Sequence, residues 1–253
     1  VSKHLRPALA DLLAYLGEMG YGDLYLKSSR AAAPAMQAVP AAASIATAPP
    51  VRRPPALLPV LDAAGEARSA ELAALAAVAA TCTRCRLSEG RQKVVFGAGN
   101  PAAELMLIGE GPGAEEDRQG LPFVGAAGDL LTRIIQAIEM TREEVYIANV
   151  VKCRPPGNRD PQPDEVAACR AYLEKQIALV RPRAIVALGK VAAQTLLGND
   201  APIGRMRGQW YQVQGIPAMV TYHPAALLRN QALKRPTWED MQQVRDRLRA
   251  GSL

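Results

Sequence analysis

Short uninterrupted apolar runs alternate with segments of helical period through most of this chain. Leu105–Gly109, Val145–Val150, Ala184–Gly189 and Ala218–Tyr222 are continuous apolar stretches of strand length. Such runs predict strands buried on both faces. Between them the three- and four-residue spacing of apolar positions predicts helices over about 125–139, 163–180 and 189–198, with a last one at 237–250. Ahead of the first strand, Leu72, Leu75 and Val78 mark one side of a helix over 71–80 that runs into Cys82. Strands separated by helices of this length predict an α/β fold, a parallel sheet with helices on both faces. Ligands of such sheets sit in the crevice beyond the carboxyl ends of the strands.

The first part of the chain follows another pattern. Leu5, Leu9, Leu12, Leu13 and Leu16 predict a short amphipathic helix over 4–19, closed by Gly17 and Gly20. Of the 30 residues from Ala31 to Val60, 11 are Ala and 7 are Pro. Proline blocks helix propagation and alanine offers little area to bury, so about 28–66 is expected to be a flexible linker. The expected organisation is an N-terminal helical segment (1–27), the linker (28–66) and one folded domain (67–253).

Composition narrows the class. The chain has 253 residues, 49% of them hydrophobic and 21% charged, which is enough apolar matter for a buried core. No uncharged apolar stretch is long enough for a transmembrane helix, and no export signal pattern opens the sequence, so a cytoplasmic protein is expected. The net charge of +6 with a pI near 9.3 is compatible with a polyanionic partner. Without an export signal, the four cysteines are expected at a metal or cluster site rather than in disulfides. Cys82 and Cys85 form a compact C-x2-C pair, whereas Cys153 and Cys169 lie 15 intervening residues apart. The wide second pair leans toward an iron–sulfur cluster; zinc and a redox-active Cys82/Cys85 pair remain alternatives.

Each predicted strand is followed at once by residues with chemistry. After the first comes Gly109-Glu110-Gly111-Pro112-Gly113, whose glycines let the backbone approach a ligand. The spacing is neither a dinucleotide fingerprint nor a P-loop, and no helix is expected to open directly from it. Phe123 follows in the same loop, as a core plug or as a platform for a flat ligand. Asn149 ends the second strand with a donor and an acceptor suited to an amide or nucleobase edge, or to capping a loop. His223 follows the last strand, and the chain has only one other histidine, His4.

Taken together, these segments resemble the family 4 uracil-DNA glycosylases, the iron–sulfur branch of the uracil-DNA glycosylase superfamily. The resemblance covers about residues 71–250. It rests on the C-x2-C pair, GEGPGAEEDRQGLPFVGAAGDLL, YIANVVKCRPPGNRDP, the cysteine in the following helix, ALGKVAAQTLLG and HPAALLR. It implies a three-layer α/β sandwich with a four-stranded parallel sheet between helices. It also implies hydrolysis of the bond between uracil and deoxyribose in DNA. By resemblance, Phe123 stacks on the uracil, Asn149 reads its edge, and His223 donates to O2 as negative charge collects on the departing base. The backbone amides of Glu110 and Gly111 approach the base.

Gly111 stands where the best-known branch of the superfamily carries an aspartate, which leaves Glu110 and Asp117 as candidates for handling the water. Residues 203–213 hold no histidine, so turnover is expected rather than covalent trapping on DNA. Lys152, Arg154 and Arg229 are the expected phosphate contacts, and Leu227 the expected wedge into the gap left by a flipped base. Cys82, Cys85, Cys153 and Cys169 are the expected ligands of a [4Fe-4S] cluster that pins the surrounding loops. The expected partner is uracil-containing DNA and the expected state a monomer. The alternatives are a non-catalytic nucleic-acid-binding module on the same fold, and a zinc-stabilised interaction protein.

Overall fold

A computed structural model describes residues 63–251 of the chain. The expected N-terminal helix and all of the expected linker before residue 63 lie outside the described residues. The first helix, α1, spans Ala63–Ala80 and so begins inside the expected linker. Its first turns are alanine-rich: good helix formers that carry no apolar stripe for periodicity to detect. The elements that follow are α2 (Leu87–Gly90), β1 (Ala98–Gly99), β2 (Leu105–Gly109), α3 (Ala114–Gln119), α4 (Ala126–Ala137) and β3 (Tyr146–Asn149). After them come α5 (Pro163–Val180), β4 (Ala184–Leu188), α6 (Lys190–Leu197), α7 (Ile203–Met206) and β5 (Trp210–Val213). The last three are β6 (Ile216–Thr221), α8 (Pro224–Arg229) and α9 (Lys234–Ala250).

The strands form one six-stranded sheet in the order β1-β3-β2-β4-β6-β5. β3, β2, β4 and β6 pair in parallel, and β1 and β5 lie antiparallel on the two edges. The expected four-stranded parallel sheet is thus the centre of a mixed one. The edges escaped the apolar pattern for two reasons. β1 is only two residues long, and β5 is mostly half-exposed. β5 joins β6 through Gln214 and Gly215, both with positive φ (52° and 77°), as a tight two-residue hairpin requires.

Alternation of side chains divides the core into two layers. Met106, Ile108, Tyr146, Ala148, Ile185 and Ala187 face one layer, covered by α1, α5 and α6. Leu105, Leu107, Ile147, Val186 and Met219 face the other, covered by α4 and α9. The central strands are buried throughout, which is why they read as continuous apolar runs. No helix among the described residues is long and apolar enough to cross a membrane.

Candidate active site and thiol cluster

The carboxyl ends of the four parallel strands open on one cavity of about 510 Å³. Each strand delivers one residue or loop to it: Glu110–Gly113 after β2, Asn149 at the end of β3, Gly189 after β4 and His223 after β6. Phe123, from the loop between α3 and α4, forms another wall. The three side chains singled out from the sequence therefore share a single cavity. Phe123 and His223 have ring centroids 5.4 Å apart, tilted by 31°.

Glycines make this convergence possible. A Cβ at Gly109 would lie 2.5 Å from Asn149 Oδ1 and 2.7 Å from Phe123 Cζ. A Cβ at Gly189 would lie 2.9 Å from His223 Cβ. The strand ends are bare of side chains where the working side chains cross over them.

Asn149 is 1% exposed, and its Oδ1 has no hydrogen-bond partner within the protein. A buried acceptor left unpaired costs about 1–3 kcal/mol, so the site holds an unmet demand for a donor. His223 caps α8: its Nδ1 accepts from the Ala225 amide at 3.1 Å. That bond puts the ring proton on Nε2. Burial, aided by the Arg229 charge and opposed by Glu116, pulls the His223 pKa down to about 4. The ring is a neutral Nε2–H donor at neutral pH.

Glu110 lines the same cavity. Burial pushes its pKa up to about 7, with nearby Asp160 raising it and Lys190 lowering it. Lys190 and Asp160 pair across the rim at 3.5 Å. Gly111 has no room for a longer side chain, because a Cβ there would lie 2.8 Å from Val151 Cγ2. Glu116, which the sequence reading passed over, organises the loop. Its Oε2 accepts from Gly113 N at 3.1 Å, and its Oε1 from Val124 N and Gly125 N at 3.0 and 3.3 Å. A glutamate three residues after a helix N-cap is a recognisable capping signal. It was missed because α3 was not expected to open directly from Gly113, as it does.

The four cysteines are free thiols around a small cavity of their own. Cys82 and Cys85 lie between α1 and α2, Cys153 follows β3, and Cys169 lies on α5. Arg91 Nη1 donates to Cys82 O at 2.6 Å and approaches Cys153 Sγ at 3.4 Å; Lys152 N donates to Cys169 Sγ at 3.3 Å. Burial pushes the Cys169 thiol up to about 11, with the Lys152 charge opposing. Among the described residues no three His, Cys, Asp or Glu side chains are placed to hold a single metal ion. The donor set, four soft sulfurs around a space with N–H groups aimed at two of them, fits a group that spreads negative charge over sulfur. Next to it, buried Glu165 accepts from Arg159 (2.6 and 2.8 Å) and Arg86 (2.9 Å). Hydrogen bonding by Arg159 holds its carboxyl down at about 2, against its burial. This carboxylate joins the residue after Cys85 to Arg159 at the rim of the large cavity.

Residues 96–242 match the family model of the uracil DNA glycosylase superfamily. The chain belongs to that superfamily. It is 45% identical over 176 residues to the type-4 uracil-DNA glycosylase of Saccharolobus solfataricus, covering 66% of this chain and 82% of that one. It is 44% identical over 174 residues to the type-4 uracil-DNA glycosylase of Sulfurisphaera tokodaii (65% and 79%). It is 45% identical over 170 residues to that of Thermotoga maritima (65% and 88%). Within the uracil DNA glycosylase superfamily it groups with the type-4 branch.

Three expected roles in this superfamily member do not survive its packing. Asp117 is 1% exposed and turns away from the cavity; its Oδ1 accepts from Gln92 N at 2.9 Å and Lys93 N at 3.4 Å. It braces the segment after α2 and cannot handle a water in the cavity. Lys152 is 2% exposed, with Nζ donating to Asn149 O at 2.7 Å and to Gln176 Oε1. It supports the strand end from below and cannot reach a phosphate; burial, opposed by Cys169, lowers its pKa to about 8. Leu227 is 1% exposed in the core, whereas its neighbour Leu228 is 46% exposed. Arg229 is exposed at the cavity rim, and Arg154 reaches the surface with Nε on Asn158 Oδ1 at 2.8 Å.

Proposed function

We propose that the chain excises uracil from DNA by hydrolysing its N-glycosidic bond, leaving an abasic site and so initiating base excision repair. The observation that carries this reading is the buried, unpaired Asn149 Oδ1 in a cavity walled by Phe123 and His223. A base within a stack is out of reach, so the nucleotide flips into the cavity. Phe123 stacks on its face. Asn149 accepts from uracil N3–H and donates to O4. Cytosine presents the opposite pattern and leaves both partners unpaired, which is how a polar pocket rejects a near-isostere.

As the glycosidic bond breaks, charge gathers on uracil O2. The Nε2–H of neutral His223 donates to that oxygen, and a preorganised donor of this kind contributes about 3–4 kcal/mol. The backbone amides of Glu110 and Gly111 close on the base from the β2 side. With Asp117 facing away, position 111 too crowded for a carboxylate, Glu116 engaged by the loop amides and Asp160 paired with Lys190 at the rim, Glu110 is the acidic group left to orient the water and face the developing positive charge on the sugar.

DNA is held through its phosphates by Arg229 and Arg154, joined by Arg159 and Lys190 at the rim, so binding is salt-sensitive. Leu228, rather than Leu227, is the wedge that fills the vacated stack. The enzyme works as a monomer in the cytoplasm and turns over without a covalent adduct. Cys82, Cys85, Cys153 and Cys169 would hold a [4Fe-4S] cluster, which supplies a cross-link between three chain segments. Iron and sulfide content against zinc content separates the two metal readings.

The test is incubation of the purified chain with a uracil-containing oligonucleotide, followed by alkali. Strand scission at uracil is expected, slowed at least tenfold by Asn149→Asp. Absence of scission defeats the enzyme reading, and an unimpaired Asn149→Asp variant defeats the pocket assignment.

A further inference from the structure

Phe123 is a thin wall. It is the one residue shared by the uracil cavity and a second cavity of about 480 Å³. It also adopts a left-handed backbone, with φ of 53°. The other non-glycine residues with positive φ among the described ones are Glu139, Asn158, Arg181 and Gln214, none of them aromatic. A bulky residue persists there only where its surroundings over-determine it.

The surroundings do so from both flanking peptides. On the C-terminal side, Glu116 accepts from Val124 N and Gly125 N. On the N-terminal side, Arg142 Nη2 donates to Pro122 O at 2.9 Å. The other arm of the same guanidinium, Nη1, reaches Thr132 Oγ1 on α4 at 3.3 Å, and Thr132 Oγ1 in turn donates to Gly128 O at 3.0 Å. Gly128 lies directly on the wall residue: a Cβ there would stand 2.0 Å from Phe123 O. Arg142 comes from the segment between α4 and β3 and lines only the second cavity. One fork therefore ties the Phe123 loop to the helix that abuts it, without entering the uracil cavity.

We infer that Arg142 is a positioning residue for uracil excision, fixing the Phe123 ring between the two cavities so that it cannot tip away from the flipped base. The inference rests on the reading that Phe123 stacks on uracil. A planar fork on a carbonyl and a hydroxyl is geometry that lysine does not reproduce in full.

The experiment is a double-mutant cycle on the full chain, with single-turnover excision rates and Tm for Arg142→Met, Phe123→Ala and the pair. Expected: Arg142→Met slows excision about tenfold in the Phe123 background and less than twofold in the Phe123→Ala background. Arg142→Lys, which keeps one donor for Pro122 O, recovers part of the rate, and serves in the cycle should Arg142→Met not fold. Equal slowing in both backgrounds would mean that Arg142 acts on the fold at large, and overturns the inference. So does an unchanged rate in Arg142→Met when Phe123→Ala is slow. An unimpaired Phe123→Ala instead brings down the stacking reading itself, and the inference with it.

Discussion

Gly109→Ala isolates the geometry of the pocket with the smallest available change. The residue ends β2, which is paired with parallel strands on both sides, so its backbone cannot retreat. Its φ is not in the left-handed region, so alanine meets no backbone penalty there. The new Cβ would lie 2.5 Å from Asn149 Oδ1 and 2.7 and 2.9 Å from two Phe123 ring atoms. Ordinary carbon contacts are about 3.5–4.0 Å, so the ring and the amide must each give by about 1 Å. Lys152 Nζ holds the Asn149 backbone carbonyl at 2.7 Å, so the strand end stays in place and the side-chain amide and the ring are the parts that move. Overpacking of this kind costs about 1–3 kcal/mol, and a shift of about 1 Å in a positioning group costs about 10²-fold in rate. Single-turnover excision should therefore fall by about two orders of magnitude, with Tm lower by about 2–10 °C. Gly204→Ala, where a Cβ meets nothing within 4 Å, serves as the control. A Gly109→Ala rate within threefold of the parent would refute the claim that Asn149 and Phe123 need this bare strand end.

Four other outcomes follow from the same geometry. His223→Ala should lower kcat by about 10²–10³ through loss of the Nε2–H donor, plus about 1 kcal/mol of stability as α8 loses its cap; an unchanged kcat removes His223 from the chemistry. Orienting the water needs the Glu110 carboxylate, and its pKa is raised to about 7, so the rate should climb as pH rises through about 7. Glu110→Gln should flatten that limb, while His223, at about 4, stays neutral throughout it. A limb that persists in Glu110→Gln assigns it to another group. The lowered pKa of His223 has its own signature: its contribution to stability is present above pH 6.5 and is lost as pH falls toward 4. Leu228→Ala should slow excision from duplex DNA more than from single strands with Tm unchanged. Leu227→Ala should instead cost about 2–5 kcal/mol of stability; the reverse pattern would restore Leu227 as the wedge.

Much of the architecture was legible because central parallel strands must be apolar on both faces. β2, β3, β4 and β6 announced themselves for that reason, as did the helices between them. The two edge strands did not, since an edge has one wet face and no continuous run. Asn149 and His223 could be picked out because each stands where a parallel strand ends on the same side of the sheet, which brings them into one cavity. Glu110 was legible for the same reason. Phe123 reaches that cavity from the loop between α3 and α4.

What the linear order could not reveal is direction. Asp117 and Glu116 are neighbours on a short helix, yet one braces the segment after α2 and the other holds the Phe123 loop. Leu227 and Leu228 differ only in which side of α8 they occupy. Lys152 looked like a surface cation, but its stem runs inward to the underside of Asn149. The chain's residue types and their order determined the layered α/β fold, the strand-end pocket and the four-sulfur set, because burial and strand polarity act locally and repetitively. Only the tertiary structure decided which carboxylate, leucine and cation face the ligand, because one residue's rotation about a helix or strand is set by packing against elements far away in the chain.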